Sequence, residues 1–265
     1  MSGVLERTLE ILELLARNPN GLPLREIAEK LDIPPSGAHR LLRELARLNY
    51  VRQEREQADY VLTTRLVSLA LGFLSASGIV DLAQPVLDRL AQQSGELVRL
   101  AVVDGDRLTW VAKAQGARTG LRYDPDMGAE AHLASSASGH AWLMTLPDEK
   151  ALELVASQGF GTAKDRGPNA PLSTTKLLRF LKSARARGFS IAQETFTSGM
   201  TGLAAPVRST EGPAVGVISI YGPTLRLGEN RQQDLGEELM AAADELALSS
   251  TISPVFRRNS GVVPH

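Results

Sequence analysis

LPLREIAEKLDIPPSGAHRLLRELARLNYV, residues 22–51, decides the reading of this chain. Leu24, Ile27, Ala28 and Leu31 recur at helical spacing, which predicts a first short helix over about 24–31. Asp32 and Ile33 form a turn, and Pro34 and Pro35 stop the helix, with Pro35 suited to an early position of a second one. Ser36 is expected to cap that second helix. Its apolar stripe is Ala38, Leu41, Leu42, Leu45 and Leu48, which leaves Ser36, His39, Arg40, Arg43 and Arg47 on the opposite side. A helix buried along one face that offers donors from its first turns is the layout a helix-turn-helix needs to enter a DNA major groove.

The surroundings extend this pattern. Val4 to Arg17 is an amphipathic helix closed by Asn18-Pro19-Asn20-Gly21. Downstream, Asn49–Gln53 and Tyr60–Leu62 are short β-prone runs around the polar tip Glu54–Asp59, read as a hairpin. Three helices and a hairpin make a winged helix-turn-helix over residues 1–63. Its formal charge is balanced, with ten Lys+Arg and ten Asp+Glu in residues 1–65. From Ser36 to Arg55, however, five arginines face Glu44 and Glu54 alone, and a local surplus collected on one face can serve as a phosphate footprint. Arg25, Arg52 and Arg55 are the candidates for phosphate; Ser36, Arg40 and Arg43 are the candidates for bases or phosphate. His39 docks its helix either on a backbone carbonyl or on a phosphate, and both readings stay open.

Residues 64–79 are expected to form a linker helix. Leu66, Val67, Leu69, Ala70, Leu71, Phe73 and Leu74 give it little polar relief, so a second copy of the chain is its expected cover. A helix over Ile79–Gln93 follows. Period-two patterning then predicts a strand pair, 97–103 and 108–112, around Asp104-Gly105-Asp106, with a third strand at Gly120–Tyr123. Helices are expected at 135–145, 148–157 and 174–187, the last capped by Ser173 and ended by Gly188; strands at 189–193, 202–207 and 214–221; and a closing helix at 228–249. This is an α+β domain over 80–250, an antiparallel sheet flanked by helices, followed by a loose tail, 251–265.

The composition narrows the chemistry. The 265 residues contain no cysteine, which removes disulfides, thiolate catalysis and cysteine-ligated metal and fits a reducing cytoplasm. No run of 18 apolar residues predicts a membrane span, and the acid-bearing start MSGVLERTLEILELL does not read as a signal peptide. His39, His132, His140 and His265 lie far apart, so no metal site and no cofactor is expected. Ser135, Ser136 and Ser138 lack a G-x-S-x-G elbow and read as capping and packing residues. Gly199, Gly202, Gly212 and Gly216 read as turn and strand positions, not as a phosphate loop.

With these pieces in order, the chain to about Ser250 resembles the IclR family of bacterial transcriptional regulators. The resemblance rests on VLERTLEILELLA (4–16), the 22–51 stretch, ASSASGHAWLM (134–144), GFSIAQETFTSGMTGLAAPV (188–207) and VGVISIYGP (215–223). It implies a winged-helix DNA-binding domain, a linker helix used in dimerisation and a GAF-like effector-binding domain. It also implies double-stranded operator DNA and a small organic acid or aromatic compound as partners, and a homodimer or a dimer of dimers with no membrane association. Repression is the commoner outcome in the family. Where the family often has His, a basic residue, and an acid before the glutamate matching Glu194, this chain has Ala134, His140 and Ala192-Gln193. The family's effector-facing positions match Tyr123, Ala131, Ala137, Ser138, Ala192, Met200, Gly202, Ser219 and Tyr221, none of them charged. A ligand carboxylate is therefore expected to rely on the backbone N–H groups of Ser136–Gly139 and on the hydroxyls of Ser138 and Ser219. The tyrosine rings, with Trp142 or Phe196 nearby, suit an aromatic or amide-bearing ligand. The competing reading is an enzyme that transforms a small molecule in its C-terminal domain. No nucleophile–base–acid set is legible to support it.

Overall fold

The computed structural model describes residues 3–53, 59–123, 128–208, 213–249 and 256. It divides into two compact units, residues 1–76 and 77–265.

In the first unit, helix α1 (Val4–Ala16) starts where the Glu6 side chain accepts the Gly3 N–H, and α2 (Leu24–Lys30) and α3 (Pro35–Arg47) follow. The α2–α3 turn is tight because Asp32 takes a left-handed φ of 50°, which lets Ile33 donate back to Ala28 O at 2.9 Å and bury its side chain. Ile11, Leu15, Ile27, Ala38, Leu42 and Val51 close the core around this corner. Strands β1 (Val51–Gln53) and β2 (Tyr60–Leu62) pair antiparallel, and Leu22 bridges to Tyr60 as the third line of the wing. The tip expected at 54–58 lies outside the described residues.

Two expectations change here. Ser36 does not cap α3. Pro34, extended at ψ 137°, is the N-cap, and Pro35 occupies the first turn, where its missing N–H costs nothing, so Ser36 is left exposed in that turn. Leu48 is 48% exposed: the helix ends at Arg47, and Leu48, as its C-cap, no longer lies on the stripe. Asn49 at φ 62° then turns the chain into the wing. Helix α4 (Arg65–Ser77) follows, inside the expected 64–79, and Gly78 at φ 63° separates it from α5.

The second unit opens with α5 (Ile79–Ser94), then β3 (Leu97–Asp104) and β4 (Arg107–Gln115). Helices α6 (Ala137–Leu143), α7 (Asp148–Gln158) and α8 (Thr174–Arg187) lead to β5 (Ser190–Gln193), β6 (Met200–Arg208), β7 (Ala214–Pro223) and α9 (Glu229–Ser249). The five strands form one antiparallel sheet in the order β4-β3-β7-β6-β5. Strand alternation sends Ala101, Val217, Tyr221, Ala204 and Ala192 to one face, where Ala137 and Ala141 of α6 pack on them. The alternate residues, Leu100, Ile218, Ile220 and Leu203, are equally buried on the other face, and α5 and α9 pack on the sheet and on each other.

No third strand forms at Gly120–Tyr123. Gly120 is left-handed at φ 77°, and the carbonyls go elsewhere: Leu121 O accepts from Arg226 and Tyr123 O from the Gln115 amide. Of the expected tail, only Phe256 is described, and it is not loose: its ring is buried against Gly216.

Candidate functional site

The first unit presents a polar helix face. The stripe of α3 is buried in its own core, so Ser36, His39, Arg40 and Arg43 are all exposed on the opposite side. Arg25 on α2 and Arg52 on β1 are exposed as well, while Arg55 lies outside the described residues. Arg47 is engaged with Glu44 at 2.9 Å, one turn back. Arg25, Arg40 and Arg43 have no ion-pair partner among the described residues. Among the described residues no hydrogen bond ties the exposed His39 side chain to a backbone carbonyl.

The second unit contains a small crevice between α6 and the β5-β6-β7 end of the sheet. Six of the nine expected positions line it: Tyr123, Ala137, Ala192, Met200, Gly202 and Tyr221. Phe196, Thr197 and Thr201 complete the wall. The free volume is about 10 Å³, barely the room of one water. Gly202 is required by close approach, since a Cβ there would sit 2.4 Å from the Tyr221 ring. Tyr123 and Tyr221 face each other at 6.0 Å with a 42° tilt. The loop carrying Tyr123 is held from behind: Arg226 pairs with buried Glu96 and reaches Leu121 O at 3.1 Å.

Three expected positions are not in the wall. Ala131 is core, its N–H donating to Leu108 O. The Ser219 hydroxyl donates to Arg99 O at 3.3 Å. Ser138 stands behind Tyr221, whose phenol oxygen accepts the Ser138 N–H at 3.2 Å and lies 3.0 Å from its hydroxyl. The Gly139 N–H is likewise taken by the Ser136 hydroxyl, at 2.9 Å, and the Ser136 N–H by His132 O, so three of the four backbone donors expected at the start of α6 are engaged inside the protein. The Ser138 and Ser219 hydroxyls, expected to meet a carboxylate, are also engaged within the protein in this structure.

Sequence reasoning missed the strongest charge near the crevice. Arg99 is 1% exposed, pairs in register with Ser219 and lies 3.7 Å over the Trp110 ring. Its field reaches the crevice. Burial raises the Tyr123 phenol and Tyr221 adds to the rise, while Arg99 pulls the other way. The available signal was an arginine at an inward position of a period-two strand, LVRLAVV.

His140 and His132 are held within the second unit. His140 is fully buried, donates from Nε2 to Ala134 O at 2.6 Å and packs 5.3 Å from Phe180; burial holds it down to about 4. His132 Nδ1 lies 2.7 Å from the buried Ser135 hydroxyl, and among the described residues no carboxylate is bonded to its ring as the acid of a catalytic triad would be.

Comparison with known proteins bears on both units. Residues 4–55 match the family model described as the IclR helix-turn-helix domain, and residues 71–248 match the model of the bacterial transcriptional regulator IclR C-terminal. The chain is 30% identical over 243 residues to the HTH-type transcriptional regulator BhcR of Paracoccus denitrificans, spanning 92% of this chain and 85% of that protein. It is 28% identical over 246 residues to the transcriptional repressor IclR of Escherichia coli, with 92% and 89% covered. The crystal structure of Thermotoga maritima IclR matches with a TM-score of 0.72 at 25% identity, over 92% and 97% of the two chains. An IclR homolog from Microbacterium hydrocarbonoxydans, complexed with 4-hydroxybenzoate, shares the fold with a TM-score of 0.77 at 22% identity, over 95% and 100%.

Proposed function

The chain belongs to the IclR family of bacterial transcriptional regulators, and from that premise we propose that it is a cytoplasmic repressor whose α3 reads a pseudo-palindromic operator. The observation that carries the reading is the face of α3, where Ser36, His39, Arg40 and Arg43 all stand exposed while the opposite stripe is buried. Arg40 and Arg43 are the base or phosphate contacts, and Arg25, Arg52 and Arg55 neutralise phosphates. The functional species is a dimer or a dimer of dimers, because two heads one DNA turn apart supply the affinity that one electrically balanced head lacks. The relatives BhcR of Paracoccus denitrificans and IclR of Escherichia coli are transcriptional regulators, which favours this reading over that of an enzyme.

The effector is a small acid with a ring or amide. Tyr123 and Tyr221 supply ring surface, and buried Arg99 on the same sheet face supplies the charge for a carboxylate. Since the crevice holds barely one water, an effector binds a more open form and shifts the population toward it, a coupling typically of about 1–3 kcal/mol. A gel shift on the DNA upstream of the protein's own coding sequence, titrated with 4-hydroxybenzoate, benzoate, glyoxylate and pyruvate, tests the reading. Retardation relieved by a ring-bearing acid supports it. No retardation at low salt overturns the DNA assignment, and relief by glyoxylate alone overturns the effector class.

A further inference from the structure

Along α8 the sequence TTKLLRFLKSARAR places five cations and no acid. Such a helix ordinarily presents a solvated charged face, and part of this one is used structurally. Arg185 is spent on Asp148 and on the carbonyls of Met144 and Leu146. Lys176, Arg179 and Arg187 differ. They recur at spacings that share one side of the helix, exposed at Arg179 and Arg187 and half-buried at Lys176. It forms one wall of a groove of about 480 Å³ between α8 and β5, the edge strand of the sheet. Asn169 and Gln193 bring amides to the groove, Phe180 and Ile191 bring apolar surface, and no carboxylate lines it.

The cations are only partly satisfied. Lys176 Nζ spends one donor on Ala170 O at 2.9 Å. Arg179 has no ion-pair or hydrogen-bond partner among the described residues. Arg187 lies 5.7 Å from the Phe189 ring, and partial burial lowers its pKa. Three cations and no carboxylate among its lining residues give the groove a positive potential that favours a negatively charged ligand. Its volume lies within the range of small-molecule sites.

We infer that the α8–β5 groove is a second ligand site, separate from the tyrosine-lined crevice, for a multiply charged organic anion such as a tricarboxylate or a phosphorylated metabolite. Arg179 and Arg187 take its anionic groups as planar forks, Lys176 adds a point charge, and Phe180 with Ile191 covers the carbon skeleton. The two sites share β5: Ala192 lines the crevice, while its neighbours Ile191 and Gln193 line the groove.

Isothermal titration calorimetry on the full chain at constant ionic strength tests this, with citrate, inorganic pyrophosphate and the monoanion acetate as probes. The expected result is saturable binding of citrate or pyrophosphate, one per chain, with acetate at least tenfold weaker. The tighter of the two polyanions then identifies the anionic group. Arg179→Gln/Arg187→Gln should weaken that binding at least tenfold while retaining the wild-type circular dichroism and melting temperature. Lys164→Gln/Lys182→Gln removes the same charge from exposed positions outside the groove and should bind as wild type. No saturable binding of either polyanion, wild-type binding by the groove variant, or equal loss in both double variants overturns the proposal.

Discussion

The Tyr221 phenol oxygen closes the start of α6 from the opposite strand, accepting the Ser138 N–H at 3.2 Å and standing 3.0 Å from the Ser138 hydroxyl. One side chain thereby lines the crevice and satisfies a helix terminus that water cannot reach. Tyr221→Phe keeps the ring and removes both bonds. It should cost about 1–3 kcal/mol, the range for a buried donor left unpaired. Urea denaturation measures this, and a variant as stable as wild type would show that the terminus finds another acceptor.

On the DNA side, Arg40 and Arg52 should separate by kind of contact. Arg40 stands exposed on α3 and Arg52 on β1 of the wing. Arg40→Ala should cost about 1–3 kcal/mol on the operator and relax its sequence preference, whereas Arg52→Ala should weaken all sequences alike and lower the salt slope by about 1. Binding isotherms at several salt concentrations, on operator and scrambled DNA, check both. If both variants bind like wild type, α3 is not the reading helix.

Acid should destabilise the second unit through His140. Burial holds its ring down to about 4, the Ala134 carbonyl opposing only in part, whereas an unfolded chain titrates near 6.5. Between those values the unfolded state binds a proton that the folded state refuses. The stability this group contributes is therefore complete above pH 6.5 and falls as pH drops toward 4. His132 shifts in the same direction, by burial first and then by the charges of Arg166 and His140. From pH 6.5 to 5 the His140 share should be about 2 kcal/mol. Histidine-resolved NMR titration reads this directly, and a His140 ring that charges near 6.5 would refute it.

These sites were legible in the sequence to different depths. Where the signal is local, it is plain: the α2 and α3 stripes as far as Leu45, the Ser173 cap that accepts from Lys176, and the αL Gly188 are readable residue by residue, whereas on α1 the expected face fails, with Val4, Leu5 and Leu9 exposed and Ile11 and Leu15 buried. The α6 segment could be assigned because its small residues permit the approach that Gly139 makes to Leu133. What stayed hidden depends on partners far along the chain. Ser138 and Ser219 look like free hydroxyls until Tyr221 and Arg99 O are seen beside them. Gly120–Tyr123 is β-prone, yet its carbonyls are claimed by Arg226 and Gln115. Arg99 breaks a hydrophobic strand run, and only the register Arg99↔Ser219 reveals that it faces inward beside the crevice. Likewise, the α8 arginines become a groove only once β5 is known to be the sheet edge.

Helix α4 offers the last test, because its apolar side chains have no cover of their own. Val67 is 54% exposed, Leu71 60% and Phe73 55%, and Ser77 is the helix's one buried residue. Fully burying such a side chain contributes about 1.5–3 kcal/mol, so a second copy laid along this face gains enough to hold a dimer. Leu71→Glu/Phe73→Glu places two charges where that contact forms while leaving the cores of both units untouched. The variant should retain its circular dichroism, sediment as a smaller species than wild type and bind a single half-site about as well. On the full operator it should lose the advantage of two linked heads, an effect that can reach about 100-fold. Unchanged sedimentation and unchanged operator affinity would assign dimerisation to another surface and leave the α4 face without that role.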